Sequence, residues 1–205
     1  MNHITGKVVV ITDAGSMLGE AAARYLSEQG AIVALGSGKL HRIRELAHEL
    51  AWDGGRAIAV QADLAHKAQV KELVRQAADA FGTVDVLVTC DDDAPQREPT
   101  CEIGRARVAP AVGAVLPLML RQRRGHIVDL SCTSDATSGL RETLQAANIR
   151  TTTISVATAS TPEGSAEACA ASFARALAFA IGQPDGMAVE AIVIGASAGQ
   201  ARSVQ

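Results

Sequence analysis

Residues 8–26 read "VVVITDAGSMLGEAAARYL". Val8 to Thr12 is an apolar run rich in β-branched residues, the composition of a buried strand. It breaks at a turn containing Gly15, and a helical pattern follows. Strand, glycine-bearing turn and helix in this order begin a dinucleotide-binding β-turn-α unit, in which the helix N-terminus offers backbone N–H groups to an anion.

The same alternation continues outward to the end of the chain. Short β-branched runs at 7–12, 31–36, 56–60, 84–89, 126–131, 149–156 and 188–194 predict strands. Helical patterns lie near 17–29, 39–52, 66–81, 105–122, 138–147 and 163–181. Strands apolar on both faces and separated by helices form a parallel sheet covered on both sides. The expectation is one Rossmann-type α/β domain over residues 1–205, a doubly wound parallel sheet of about seven strands in the order 3-2-1-4-5-6-7.

Composition excludes several classes. The chain is 48% hydrophobic but only 2% aromatic, so Ala, Val, Ile and Leu must build the core. A net charge of −3 gives no reason to expect nucleic acid or an anionic membrane as partner. Arg121, Arg123 and Arg124 read as a solvated helix end, where cations are favoured. Cys90, Cys101, Cys132 and Cys169 are too scattered for a zinc site or a disulfide framework, and no metal is expected. "MNHITGK" has no apolar signal region, and Val108 to Leu120 falls short of the about 20 apolar residues a bilayer needs. The expectation is a soluble, cytoplasmic protein.

Helix 105–122 stands apart. After Arg107 it reads "VAPAVGAVLPLML", apolar all round, with Pro110, Gly113 and Pro117 to weaken it. One face can lie on the sheet; a partner subunit is the simplest cover for the other, with packing under the chain's own loops as the alternative.

"GKVVVIT" (6–12), "LGEAAARYLSEQGAIVAL" (18–35), "VQADLAHKAQV" (60–70), "FGTVDVLV" (81–88), "VLPLMLRQRRGHIVDLS" (115–131) and "NIRTTTIS" (148–155) follow one another as they do in the short-chain dehydrogenase/reductase family. The chain resembles that family over nearly its whole length. The resemblance implies a single-domain NAD(P)-dependent oxidoreductase. It also implies a two-fold interface in which helix 105–122 pairs with the helix after the fifth strand.

The family's motifs are only partly kept. T-G-x-x-x-G-x-G appears as "TDAGSMLG": Thr12 and Gly19 match, while Asp13 and Met17 replace the two inner glycines. The first glycine allows the tight turn and the second lets backbone approach the pyrophosphate. Met17 would put a side chain, and Asp13 a carboxylate, near the phosphates. Ser16 and Leu18 complete the loop around them. Asp63-Leu64 matches the pair beside adenine, with a simple turn as the alternative reading of Asp63. Ser37 stands where an NAD-preferring member has an acid, and with Lys39 and Arg42 nearby any remaining preference leans to NADP. A solvated helix start is the plainer reading of Lys39. The motif N-N-A-G becomes "TCDD" (89–92), which includes Cys90.

The catalytic positions are lost together. The family's Ser aligns with Cys132, its Tyr and Lys with Ser134 and Ser138, and its Asn with Gly104. The one tyrosine of the chain, Tyr25, lies in the first helix. Without a phenol, hydride transfer would need another acid; Cys132 reads better as a buried structural thiol. Two functions stay open, with a small-ligand sensor in the emptied cleft as a third. One is an inactive member serving as scaffold or partner subunit, a homodimer or a heteromer through helix 105–122, with weak NADP(H) binding or none. The other is an NAD(P)-dependent oxidoreductase of carbonyl reductase or alcohol dehydrogenase type with an atypical site.

Overall fold

The computed structural model describes residues 3–90, 101–130, 141–157, 165–184 and 186–195. Its strands are β1 (Val8–Thr12), β2 (Ile32–Ser37), β3 (Arg56–Gln61), β4 (Val86–Thr89), β5 (Gly125–Leu130), β6 (Ile149–Ala157) and β7 (Ala191–Gly195). The helices are α1 (Met17–Glu28), α2 (Leu40–Trp52), α3 (Lys67–Phe81), α4 (Cys101–Gln122), α5 (Arg141–Ala146) and α6 (Ser165–Ile181). The strands form one seven-stranded sheet in the order β3-β2-β1-β4-β5-β6-β7. Every neighbouring pair is parallel.

The two-residue period of a strand splits the core into two layers. Val9 and Ile11 of β1, with Val33, Leu35, Val88 and Val128 of its neighbours, pack with Leu18, Leu26, Ile43 and Phe173 under α1, α2 and α6. Val10, Ala34, Leu87 and Ile127 point the other way, against Leu73, Val112, Val115 and Leu144 from α3, α4 and α5. Small side chains make this close packing possible, since a Cβ on Gly36 would stand 2.3 Å from Cδ2 of Leu73.

The expected elements are all present, with shifted ends. β4 and β7 start two and three residues later than the pattern suggests, at Val86 and Ala191. α4 starts at Cys101, four residues before the apolar periodicity begins. Residues 138–140 of the expected fifth helix and 163–164 of the sixth lie outside the described residues.

The expectation for α4 needs a correction. Val112, Val115, Leu116 and Met119 are not left for a partner to shield: Val112, Val115 and Met119 are buried by the chain itself, at 4%, 0% and 0% exposure. Leu116 is partly buried against the same cluster. The reason is that α4 packs on α3 as well as on the sheet, so two surfaces cover its inner side. What remains outward is narrower: Gly113, Pro117 and Leu120 are exposed, with Leu116 at the margin. Pro110 and Pro117 sit inside the helix without interrupting it. No described helix is long and apolar enough to cross a membrane.

Candidate functional site

Ligands of open parallel α/β sheets bind beyond the carboxyl ends of the strands, where the order reverses. Here β1 is flanked by β2 and β4, so the place to look is the loop after Thr12 and the ends of β2, β4 and β5.

Asp13 has φ 52°, the left-handed conformation that glycine usually supplies. Asp is among the few residues that tolerate it, so the turn survives the substitution. Its carbonyl accepts from Ser16 N at 3.0 Å, and Ala14 N donates to the Gly36 carbonyl at 2.8 Å. The carboxylate is directed to the end of β2, where Oδ1 accepts from Ser37 Oγ at 3.2 Å. Ser37 Oγ in turn accepts from Lys39 N at 3.1 Å. Gly15 supplies room rather than backbone freedom, because a Cβ there would lie 2.7 Å from Ser37 Oγ. Gly19 is required more strictly: its Cβ would meet the Asp13 carbonyl at 2.4 Å and Ala14 Cα at 2.8 Å.

The mouth of α1 is satisfied from within the chain. Ser16 is buried and acts as N-cap, its Oγ accepting from Gly19 N at 3.0 Å. One of the donors an anion would use is thereby occupied. Glu20 adds a carboxylate to the first turn, where it complements the helix dipole as an anion would. Its Oε1 is 2.9 Å from Arg24, and Oε2 is 3.4 Å from Arg42. Arg42, expected near a 2′-phosphate, is therefore paired with Glu20. Met17 is the first residue of α1 and 44% exposed; it borders an open groove shared with Ala170 and Ala174 of α6. The Leu18 side chain belongs to the core. Lys39 is exposed at the start of α2, without a side-chain cap bond.

Asp63 bonds within its own turn. Oδ1 accepts from Ala65 N at 2.9 Å, Oδ2 lies 3.1 Å from His66 Nδ1, and the pair leads into α3. Both carboxylate oxygens thus serve the local turn. Leu64 is buried in the layer beneath α3.

At the ends of β1, β4 and β5 a buried polar chain holds the strands together. Thr12 Oγ accepts from Cys90 N at 3.2 Å and donates to the Val88 carbonyl at 3.4 Å. Cys90 is buried in the core. Beside it, Thr89 Oγ donates to Asp129 Oδ1 at 2.6 Å, both residues being 2% exposed. Asp129 is also in register with Thr153 of β6. The motif comparison passed over Asp129, yet a signal exists: it is an acid within "HIVDL", a strand otherwise apolar on both faces. A buried carboxylate needs a hydrogen-bonded partner. Thr89 and Asp129 share the face of Leu87 and Ile127, whereas Tyr25 packs against the opposite layer.

Cys132, Ser134 and Ser138 lie outside the described residues, as do Asp91 and Asp92. Gly104 falls in the first turns of α4. Among the described residues no group of three or more His, Cys, Asp or Glu could hold a metal.

Residues 7–92 match the sequence profile of the short chain dehydrogenase family. An uncharacterized oxidoreductase of Staphylococcus saprophyticus is 30% identical over 193 residues, covering 78% of this chain and 77% of its own. Glycine betaine reductase of Emericella nidulans is 32% identical over 143 residues, or 65% of this chain, but the match spans only 11% of that much longer protein. Among solved structures, a metagenomic short-chain oxidoreductase in complex with NADP superposes with a TM-score of 0.78 at 20% identity, covering 95% of this chain and 99% of that one. A hydroxysteroid dehydrogenase from Escherichia coli gives 0.74 at 20% identity over 95% and 96%. At such identities the structural likeness speaks for the fold.

Proposed function

The chain belongs to the short-chain dehydrogenase family, and from that premise we propose a member that has given up hydride transfer and serves as a scaffold or partner subunit with weak NADP(H) binding or none. One observation carries the reading: the Asp13 carboxylate, at the position of the family's first glycine, is bonded to Ser37 at the end of β2. That carboxylate closes onto the end of β2, on the adenosine side of the groove, and Glu20 adds a second carboxylate in the first turn of α1, where it pairs with Arg24 and Arg42. The residues present do not fit a dinucleotide well, since like charges are driven apart most strongly where water is partly excluded. The chemical end agrees. The family's proton donor is a tyrosine, and Tyr25, the one tyrosine of this chain, belongs to the opposite layer.

The subunit role rests on the outward strip of α4, formed by Gly113, Leu116, Pro117 and Leu120. A C2 dimer would bury that strip against itself; a complex with a related chain would do so equally well. NADPH fluorescence titration tests the groove. The parent chain should bind weakly or not at all, and Asp13→Gly with Met17→Gly should raise the affinity. Tight NADPH binding by the parent chain that the two substitutions do not improve would refute the reading.

A second reading, an NADP-dependent oxidoreductase with an atypical site, is favoured by the buried Thr89–Asp129 pair at the carboxyl ends of β4 and β5. A carboxyl group in such a place is a candidate proton donor. NADPH oxidation that is lost in Asp129→Asn would decide for it, and loss in Cys132→Ser would instead point to the thiol.

A further inference from the structure

The turn after β1 packs directly against the end of β2. Ala14 N donates to the Gly36 carbonyl at 2.8 Å, and Ser37 Oγ donates to Asp13 Oδ1 at 3.2 Å. A Cβ on Gly15 would lie 2.7 Å from Ser37 Oγ and 3.6 Å from Lys39 Cβ, so the turn also touches the residues that follow β2. The space beyond is open: Gly38 is exposed, and a Cβ there would meet nothing within 4 Å.

In a doubly wound fold the carboxyl end of β2 faces the ribose next to adenine, and the charge found there selects the ligand. A carboxylate accepts from a 2′-hydroxyl and repels a 2′-phosphate; a cation does the opposite. β2 itself ends in Ser37, with no acid of its own, and for that reason the sequence alone leans to NADP. The fold returns an acid to the same place from another strand, because β1 and β2 are neighbours and Asp13 reaches across.

The nearby cations do not cancel this charge. Arg24 and Arg42 stand 2.9 and 3.4 Å from Glu20, and Arg24 also pairs with Glu49. Two guanidinium groups there share two carboxylates. Lys39 remains, but it is exposed at the start of α2, where water and salt screen an ammonium strongly. Asp13 is half-buried, so its charge is the less screened of the two.

We propose that Asp13 turns the ligand preference of this groove toward a ribose that carries a 2′-hydroxyl, as in adenosine or an NAD-type nucleotide, and against a 2′-phosphate. The proposal rests on the weak-binding reading above and deepens it, since the affinity that the groove keeps then belongs to the form without the 2′-phosphate. The discrimination is one of charge. A 2′-phosphate would bring about −1.5 to −2 charges against the Asp13 carboxylate, whereas a hydroxyl brings none.

Adenosine and adenosine 2′-phosphate serve as probes, because they differ only at the 2′ position and neither carries a pyrophosphate. The readout is the backbone amide spectrum of the full chain, followed at Gly38 at constant ionic strength and about pH 7.5, where the phosphate is a dianion. Adenosine should shift Gly38 saturably, and adenosine 2′-phosphate should bind at least about tenfold more weakly. Asp13→Asn removes the charge, keeps an acceptor for Ser37 and suits the left-handed φ of 52°; it should close the gap between the probes. Asp13→Gly, at ease with the same φ, replaces it if the asparagine variant does not fold. No adenosine shift up to about 10 mM, equal or tighter binding of the 2′-phosphate by the parent chain, or a gap that persists without the Asp13 charge would overturn the proposal. Tighter binding of the 2′-phosphate would assign the choice to Lys39 and leave weak NADPH binding standing. Tight NADPH binding by the parent chain would instead fail that reading at the pyrophosphate, which neither probe contains.

Discussion

Lowering the pH from about 7.5 to about 5 should cost the fold about 2 kcal/mol through His126 alone, and His126→Gln should escape that loss. Burial is the main reason that the His126 pKa falls from 6.5 to about 3, followed by the positive charges of Arg150 and Lys7. A histidine depressed in the fold is neutral there but protonates in the unfolded chain below its ordinary pKa. Its contribution is therefore complete above pH 6.5 and fades as the pH drops toward the folded value near 3. One proton taken up on unfolding gives a slope of about 1.4 kcal/mol per pH unit. From the unfolded pKa down to about pH 5 that integrates to roughly 2 kcal/mol, and to about 3 kcal/mol at about pH 4. Against a total stability of about 5–15 kcal/mol this is a large share. Urea melts at several pH values, for parent and His126→Gln, isolate the effect because the carboxylates contribute equally to both. Glutamine keeps an amide donor for Thr152. The parent should lose about one proton's worth of slope more than the variant. Equal slopes would mean that His126 is not held neutral in the fold, and the reasoning would fail.

Other substitutions probe the turn and the surface. Gly19→Ala should lower stability by about 1–3 kcal/mol in urea melts, because its Cβ meets backbone at 2.4 Å rather than a flexible side chain. Asp13→Ala should destabilise more than Asp13→Gly, by about 1 kcal/mol, since both lose the Ser37 bond but only alanine keeps a side chain at φ 52°; the reverse order in paired melts would contradict the left-handed turn. Phe173→Ala, at a fully buried position, should cost about 3–5 kcal/mol, measured as a drop in melting temperature. Leu120→Glu, at an exposed position of α4, should convert a dimer to monomer in light scattering while leaving the fold intact; a parent chain that scatters as a 21.2 kDa monomer would dispose of the α4 interface.

Much of the architecture was legible because each level of the chain repeats the same message. β-branched runs such as Val8–Thr12 alternate with helical patterns, and apolar residues on both faces of the strands require a covered parallel sheet. Strand order followed from the resemblance and from the right-handed crossover rule. Motif matching was weaker at the site. It placed Asp13 and Ser37 in the groove without indicating that they bond to each other across 24 positions of sequence. It left Asp63 open between a place beside adenine and a turn, and the Asp63 carboxylate bonds within the turn that leads into α3. It also passed over Asp129, whose partner Thr89 is 40 residues away.

Local pattern by itself determined which segments are strands and helices, how they alternate and which family motifs have been replaced, because periodicity and residue type act over a few neighbours. Only the tertiary structure decided how each side chain is employed. The inner face of α4 is shielded because α3 lies beside it. Asp13 closes onto Ser37 because β1 and β2 are adjacent. His126 is neutral with its lone pair on Nδ1 because Thr152 and Val189 converge on its other nitrogen. Hydrogen bonding and desolvation depend on which groups meet in space, and residues far apart in the chain supply them.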